Sequence, residues 1–164
     1  ELASQIAEGS ESSAMRKLLV ELAQPDSKIF SLGCDLGTKF LIEENLPTTA
    51  SGYVQTMDAT YADRSPKDYA RFARAVAETL KTPSQSHEWR VHLVLTPVAF
   101  KVDGSSDMTG WLWIWFHAFA DSEDRALGSR ETLITELRHA LTNDRHTSLL
   151  AESGPSPACE GQRI

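Results

Sequence analysis

Between Trp111 and Ala120 every position except His117 carries an apolar side chain, and the tryptophans Trp111, Trp113 and Trp115 recur at alternate positions. A strand sends successive side chains to opposite faces. One face then carries Trp111, Trp113, Trp115, His117 and Phe119, and the other carries Leu112, Ile114, Phe116, Ala118 and Ala120. A strand that is apolar on both sides calls for cover on both sides. A short chain can hide one face beneath its own core; the second calls for a helix, a ligand or another protein chain.

The rest of the pattern supplies the surrounding elements. Residues 1–10 are small and polar and read as an arm. Met15, Leu18, Leu19 and Leu22 recur at the spacing of one helical face, which predicts a helix over Glu11–Ala23 that Pro25 ends. Lys28–Glu44 reads as extended. Gly33 and Gly37 bracket Cys34-Asp35-Leu36, as either a tight hairpin or one strand with a bulge. Asn45–Gly52 reads as a loop and Tyr53–Tyr61 as a strand, with Tyr53, Gln55 and Met57 on one side and Val54, Thr56 and Asp58 on the other.

Ser65-Pro66-Lys67-Asp68 combines an N-cap serine, a proline at the first helical position and an acid in the first turn. Tyr69, Phe72, Ala73, Val76, Ala77 and Leu80 follow at helical spacing up to Thr82-Pro83, with Arg71 and Arg74 on the solvated side. Trp89–Val102 reads as a strand in which Pro97 implies a bulge or an unpaired edge. With a turn centred near Ser105–Ser106, Trp111 falls opposite Phe100, Trp113 opposite Val98 and Trp115 opposite Thr96. Asp121–Gly128 reads as an acidic connection. Ser129 reads as the cap of a last helix, which carries Leu133, Ile134, Leu137, Ala140 and Leu141 inward and ends near Asn143.

This order predicts an α+β fold: a mostly antiparallel sheet of four to five strands with two or three amphipathic helices packed mainly on one face. Residues 1–150 form one α+β domain in this reading, and residues 151–164 a flexible C-terminal tail.

Composition narrows the function classes. The chain has 164 residues, of which 41% are hydrophobic and 24% charged, the balance of an ordinary globular domain. The net charge of −7 disfavours nucleic-acid binding by phosphate neutralisation, and adhesion to anionic lipid for the same reason. No apolar run reaches the length of a transmembrane segment. Cys34 and Cys159 are two distant thiols rather than a disulfide framework, so the reducing cytoplasm is the default compartment. The chain starts at Glu1 rather than Met, which leaves room for a segment, a targeting one included, ahead of it.

Candidate chemistry is sparse. His87, His92, His117, His139 and His146 show no pair with zinc-site spacing, so no metal or other cofactor is expected. His139 and His146 share a face only if the last helix runs past Asn143. His92 and His117 can approach across the hairpin on the tryptophan face, where a histidine pair can titrate near neutral pH. No nucleophile elbow or His-Glu-x-x-His run is present, and Asp58 with Asp63 or Asp121 with Asp124 read as solvating or capping acids. No catalytic residue is assigned.

Three resemblances bear on function. Gly33-Cys34-Asp35-Leu36-Gly37-Thr38 resembles the first phosphate loop of the actin and heat-shock-chaperone ATPases, a family that needs a second domain and a second phosphate loop. In size, acidity and element order the chain resembles the small acidic chaperones of type III secretion, dimers that wrap an unfolded segment. Met57 to Val76 and Gly110 to Ala126 look similar to rhabdovirus-type matrix proteins, which self-associate beneath a membrane, although the chain lacks their basic character. The last two imply assembly by contact.

The leading expectation is a non-enzymatic protein-interaction module. It self-associates as a homo-oligomer or binds a partner protein through Trp111, Trp113, Trp115, His117, His92 and Phe100. The alternatives are a matrix-type assembly protein, a secretion-chaperone or immunity-type binding protein, and a small-molecule-binding protein or small enzyme with a tryptophan-lined pocket.

Overall fold

The computed structural model describes residues 7–37, 48–58, 66–81, 89–102 and 105–151. Within them the fold is α+β, with four strands and five helices in the order α1 (Ala7–Glu11), α2 (Ser13–Leu22), β1 (Ile29–Asp35), β2 (Thr48–Asp58), α3 (Pro66–Thr79), β3 (Trp89–Val102), β4 (Ser105–Ala120), α4 (Glu123–Thr142) and α5 (Asp144–Ala151). The sheet is antiparallel with strand order β1-β2-β4-β3, so the tryptophan strand is interior and β3 is an edge.

One side of the sheet holds the core. Leu112, Ile114, Phe116 and Ala118 of β4 are at most 1% exposed and pack with Val54 of β2 and Ile29 of β1 against the helices. Alpha-helix α4 crosses β4 and β2, α3 lies under β3 and β4, and α2 packs on α4 and β1. Each large aliphatic side chain buried this way contributes about 1.5–3 kcal/mol. The predicted inward sets of α2 (Met15, Leu18, Leu19 and Leu22) and α4 (Leu133, Ile134, Leu137, Ala140 and Leu141) are buried, as are Tyr69, Phe72, Val76 and Leu80 of the α3 set, whose Ala73 and Ala77 are half-buried. Side chains also lock α2 to α4: Ala14 N–H donates to Glu131 Oε2 at 3.0 Å, and Arg138 Nη1 stands 3.4 Å from Glu21 Oε1.

Several boundaries differ from the expectation for identifiable reasons. Ala7–Glu11 is helical rather than an arm, and the chain breaks at Ser12, whose extended backbone lets its hydroxyl accept from Met15 N–H at 2.9 Å as the cap of α2. Beta-strand β1 carries a register shift between Ser31 and Gly33, a bulge, and residues 38–44 of the segment that reads as extended lie outside the described residues. Beta-strand β2 begins at Thr48, inside the predicted loop, because residues 48–52 pair with β4 out to Ala120. Helix α4 starts at Glu123, not after Ser129. Glu123 and Asp124 suit the positive end of a helix, and Gly128 sits within the helix instead of breaking it. Asn143 ends α4 as expected, but its Oδ1 accepts from Arg145 N–H at 2.9 Å and starts α5, which the sequence reading had not anticipated. Residues 59–61 of the predicted second strand, the Ser65 cap, the Thr82-Pro83 stop and the tail of residues 152–164 lie outside the described residues.

The β3–β4 register corrects the predicted one. Trp111 pairs with Thr96, Trp113 with Val94 and Trp115 with His92, while Phe100 pairs with Asp107. The offset from Phe100 to Thr96 is an even number of positions, so every residue keeps its predicted face. No register shift occurs at Pro97, so the bulge is not formed; its edge strand tolerates the missing donor.

Two glycines make opposite predictions. A Cβ at Gly52 would lie 2.7 Å from the Asp35 carbonyl oxygen and 2.7 Å from Phe116 Cζ, whereas one at Gly128 would meet nothing within 4 Å. Denaturant unfolding should show Gly52→Ala destabilised by about 1–3 kcal/mol through overpacking. Gly128→Ala should be stabilised by about 0.5–1 kcal/mol through helix propensity.

Candidate functional site

The other side of the sheet carries an aromatic ladder. Pairing fixes its members: on β4 stand Trp111, Trp113, Trp115, His117 and Phe119; across from them on β2 stand Met57, Gln55, Tyr53, Ser51 and Thr49; on β3 stand Thr96, Val94, His92 and Arg90. The Trp113 and Trp115 rings stack with centroids 5.7 Å apart and planes at 18°. Tyr53 joins them at 5.5 Å from Trp113 and 4.8 Å from Trp115, and Trp111 meets Trp113 edge-on at 6.5 Å. These offset contacts are the arrangements aromatic pairs favour, each worth about 0.5–1.5 kcal/mol.

The ladder is closed at one end and open at the other. At the Trp111 end Met57 is 1% exposed, and Trp111 Nε1 is buried with no hydrogen-bond partner among the described residues. Toward Trp115 the surface opens: Trp115 is 38% and Val94 49% exposed, and Arg90 and His92 are exposed beside them. None of the ladder's tryptophans belongs to the helix-packed core. The open patch is thus Val94, Trp115, His92 and Arg90, with the half-buried His117 and Phe119 at its edge.

The histidine pair expected across the hairpin is present. The His92 and His117 rings meet edge-on with centroids 5.9 Å apart, His117 stacks over Phe119 at 6.4 Å, and the Arg90 guanidinium lies 5.6 Å from the centre of the Phe119 ring. The His117 pKa is pushed below 6.5, first by burial, then by His92 and Arg90. Phe100 is four positions along β3 from Thr96 and away from the open patch, with Asp107 as its partner. Tyr53, Val94 and Arg90 are members the sequence reading did not assign. The alternation of β2 and β3 puts each on a face, but only the β2–β4 pairing and the actual β3 register bring them to the ladder.

The remaining candidates resolve individually. Cys34 is half-buried, and its thiol is pushed up to about 11 by burial and by the carboxylates of Glu8 and Asp35. His146 and His139 sit on different helices. His146 Nδ1 lies 2.8 Å from the Ala140 carbonyl oxygen and its Nε2 lies 3.4 Å from Thr79 Oγ1; His139 Nε2 lies 3.0 Å from Arg138 Nη2. Asp121 is exposed and bonded by Arg125 at 2.6 Å. Asp68 bonds Arg71 at 2.6 Å. His87, Asp63, Thr38 and Cys159 lie outside the described residues. Among the described residues no group of three or more His, Cys, Asp or Glu is arranged to hold a metal ion, and no helix is long and apolar enough to cross a membrane.

A cavity of about 260 Å³ opens among Glu21, Asp26, Lys28, Leu141, Asp144 and Thr147, and a groove of about 530 Å³ runs along Lys67, Asp68, Arg71 and Arg74; neither reaches the ladder. Comparison with known protein families, with curated proteins and with solved structures returns no match.

The raised Cys34 thiol gives a direct test. In a Cys159→Ser background, thiol–disulfide exchange with an aromatic disulfide at pH 8 should run up to about a hundredfold slower than for a thiol at the ordinary 9.0, in proportion to the thiolate fraction. The measurement is the rate of colour release from an aromatic disulfide.

Proposed function

We propose that the protein is a non-enzymatic interaction module that docks another protein surface, a second copy of itself foremost, on the open end of its aromatic ladder. The observation that supports this reading is Trp115, held in place by Trp113 and Tyr53 yet 38% exposed on the sheet face away from the helix-packed core, beside the 49%-exposed Val94. Rigid aromatic anchors of this kind are enriched at the centres of protein interfaces, because they bury a large area with little side-chain entropy to lose. Arg90 and His92 supply the polar rim that such an interface carries.

The ring geometry favours a protein surface over a flat small molecule. A sugar or planar ligand needs free ring faces to stack on. Here Trp113 and Trp115 spend facing surface on each other and on Tyr53.

The test is a sedimentation-velocity concentration series on the full chain. Self-association is expected for the unaltered protein, with Trp115→Ala weakening it by tenfold or more, about 1.4 kcal/mol, while the unfolding midpoint moves little. A protein that stays monomeric up to millimolar concentration, with no partner surface protected at Trp115, overturns the proposal.

A further inference from the structure

We infer that two copies of this chain join edge to edge through β3, antiparallel about a two-fold axis at Val94, so that their two sheets become one. The inference concerns the edge of the sheet rather than its aromatic face, and it stands apart from the docking role proposed above. Its basis is a difference between the two edges. Beta-strand β1 is short and bulged between Ser31 and Gly33, a break that spoils it as a template for pairing. Beta-strand β3 runs for 14 residues along β4 with no register shift, and no strand among the described residues pairs with its outer side. From Trp89 to Thr96 it contains no lysine, proline, glycine or acidic residue, the groups that blunt an edge; Arg90 is its one fixed charge.

Pro97 tells which backbone groups face outward. It has no N–H to give, yet it pairs with Gly110 in an unbroken ladder, so its nitrogen belongs on the outer side. Backbone direction alternates along a strand as side-chain direction does. Val91, Leu93 and Leu95 therefore turn their N–H and C=O groups outward as well, while His92, Val94 and Thr96 turn theirs toward β4. The side chains run short of cover at the same edge. Trp89, Val91, Leu93 and Leu95 pack on the core but are only half-buried, and Val94 on the opposite face is 49% exposed. Core, backbone and outer face all end along one line. Only an extended strand brings a row of donors and acceptors together with apolar side chains on both faces.

The strand is its own complement. With Val94 on the two-fold axis, Leu93 falls opposite the partner's Leu95, His92 opposite the partner's Thr96 and Val91 opposite the partner's Pro97. Each Leu93–Leu95 pair exchanges both of its N–H···O=C bonds, and Val91 N–H donates to the carbonyl of the partner's Pro97. Val94 meets its own copy as a non-hydrogen-bonded pair, the closer of the two kinds, with Cα atoms about 4.5 Å apart. No like charges are set against each other, because Arg90 falls opposite the partner's Val98. The axis stands normal to the sheet, so the helices of both copies lie on one side and both aromatic ladders on the other. Such pairing is closed: it consumes both β3 edges and leaves the bulged β1 edges outermost. That closure is what selects a second copy over an unrelated strand.

Amide hydrogen exchange and a cross-link on the full chain test this. Between dilute and associating concentrations, exchange at the Val91, Leu93 and Leu95 amides should slow by tenfold or more, while the Val94 amide, which donates to β4, stays protected throughout. In a Cys34→Ser, Cys159→Ser background, Val94→Cys should form an intermolecular disulfide in oxidised glutathione, since the paired Cα atoms lie within disulfide reach. Val94→Lys should weaken association by tenfold or more, because it sets two like charges directly opposite each other. Association that leaves the Val91, Leu93 and Leu95 amides unprotected, or that persists with no Val94→Cys cross-link, overturns the edge pairing and leaves the docking reading standing. Amides already protected in the dilute monomer overturn it too. Protection at these amides in an association that Trp115→Ala leaves unchanged supports the edge pairing and overturns the docking reading. A monomer up to millimolar concentration overturns the edge pairing outright, whereas the docking reading falls only if no partner surface protects Trp115.

Discussion

A central strand with apolar side chains on both faces imposes a demand that a single layer of helices cannot meet. Beta-strand β4 lies between β2 and β3, so its backbone is paired on both edges and the only freedom left is what covers each face. Helices α3 and α4 fill one face so fully that Leu112, Ile114, Phe116 and Ala118 are essentially inaccessible. The other face answers by packing on itself: Trp113, Trp115 and Tyr53 cover one another ring against ring. Self-stacking hides ring faces but leaves edges, and at Trp115 and Val94 the cover runs out.

Much of the fold was legible because it is written in periodicity. The inward stripes of α2, α3 and α4 and the alternation of β4 are strong repeating signals, and a repeating signal survives errors in register or boundary. The four-position offset in the β3–β4 hairpin shows why: an even slip leaves Trp113, His92 and Val94 on the faces that alternation assigns them. What periodicity does not carry is where a segment stops. Gly128 looks like punctuation, yet it lies on an exposed turn of α4 where its small penalty is outweighed by the seven buried side chains of the same helix. Asn143 was legible as an end and illegible as a beginning, since one side chain serves as both.

The candidate site was half legible. The row on β4 and its proximity to His92 follow from one hairpin, a local arrangement. Tyr53 enters through the pairing of β2 with β4, residues separated by a helix and another strand, and nothing in the local sequence of either strand selects that partner. Phe100 joins the site only with a turn centred near Ser105–Ser106; the actual turn lies earlier in the chain, and the pairing puts Phe100 toward the hairpin tip, across from Asp107. Strand pairing is thus the step at which the composition of the site is decided: the long-range β2–β4 pairing includes Tyr53, and the hairpin register excludes Phe100.

Polar groups are distributed unevenly along the ladder. At the Trp111 end the face is closed, with a buried methionine and an indole N–H shut away from solvent. At the opposite end stand Arg90, His92 and His117, groups that an entirely buried face would have to leave unsolvated. A fixed charge at that end, with two imidazoles beside it, gives the patch a polar border where its apolar cover runs out. Aromatic anchor and polar rim therefore come from one pairing: the β3–β4 register that holds Trp115 on the open face places His92 directly across from it, so whatever covers the indole also meets the imidazole beside it.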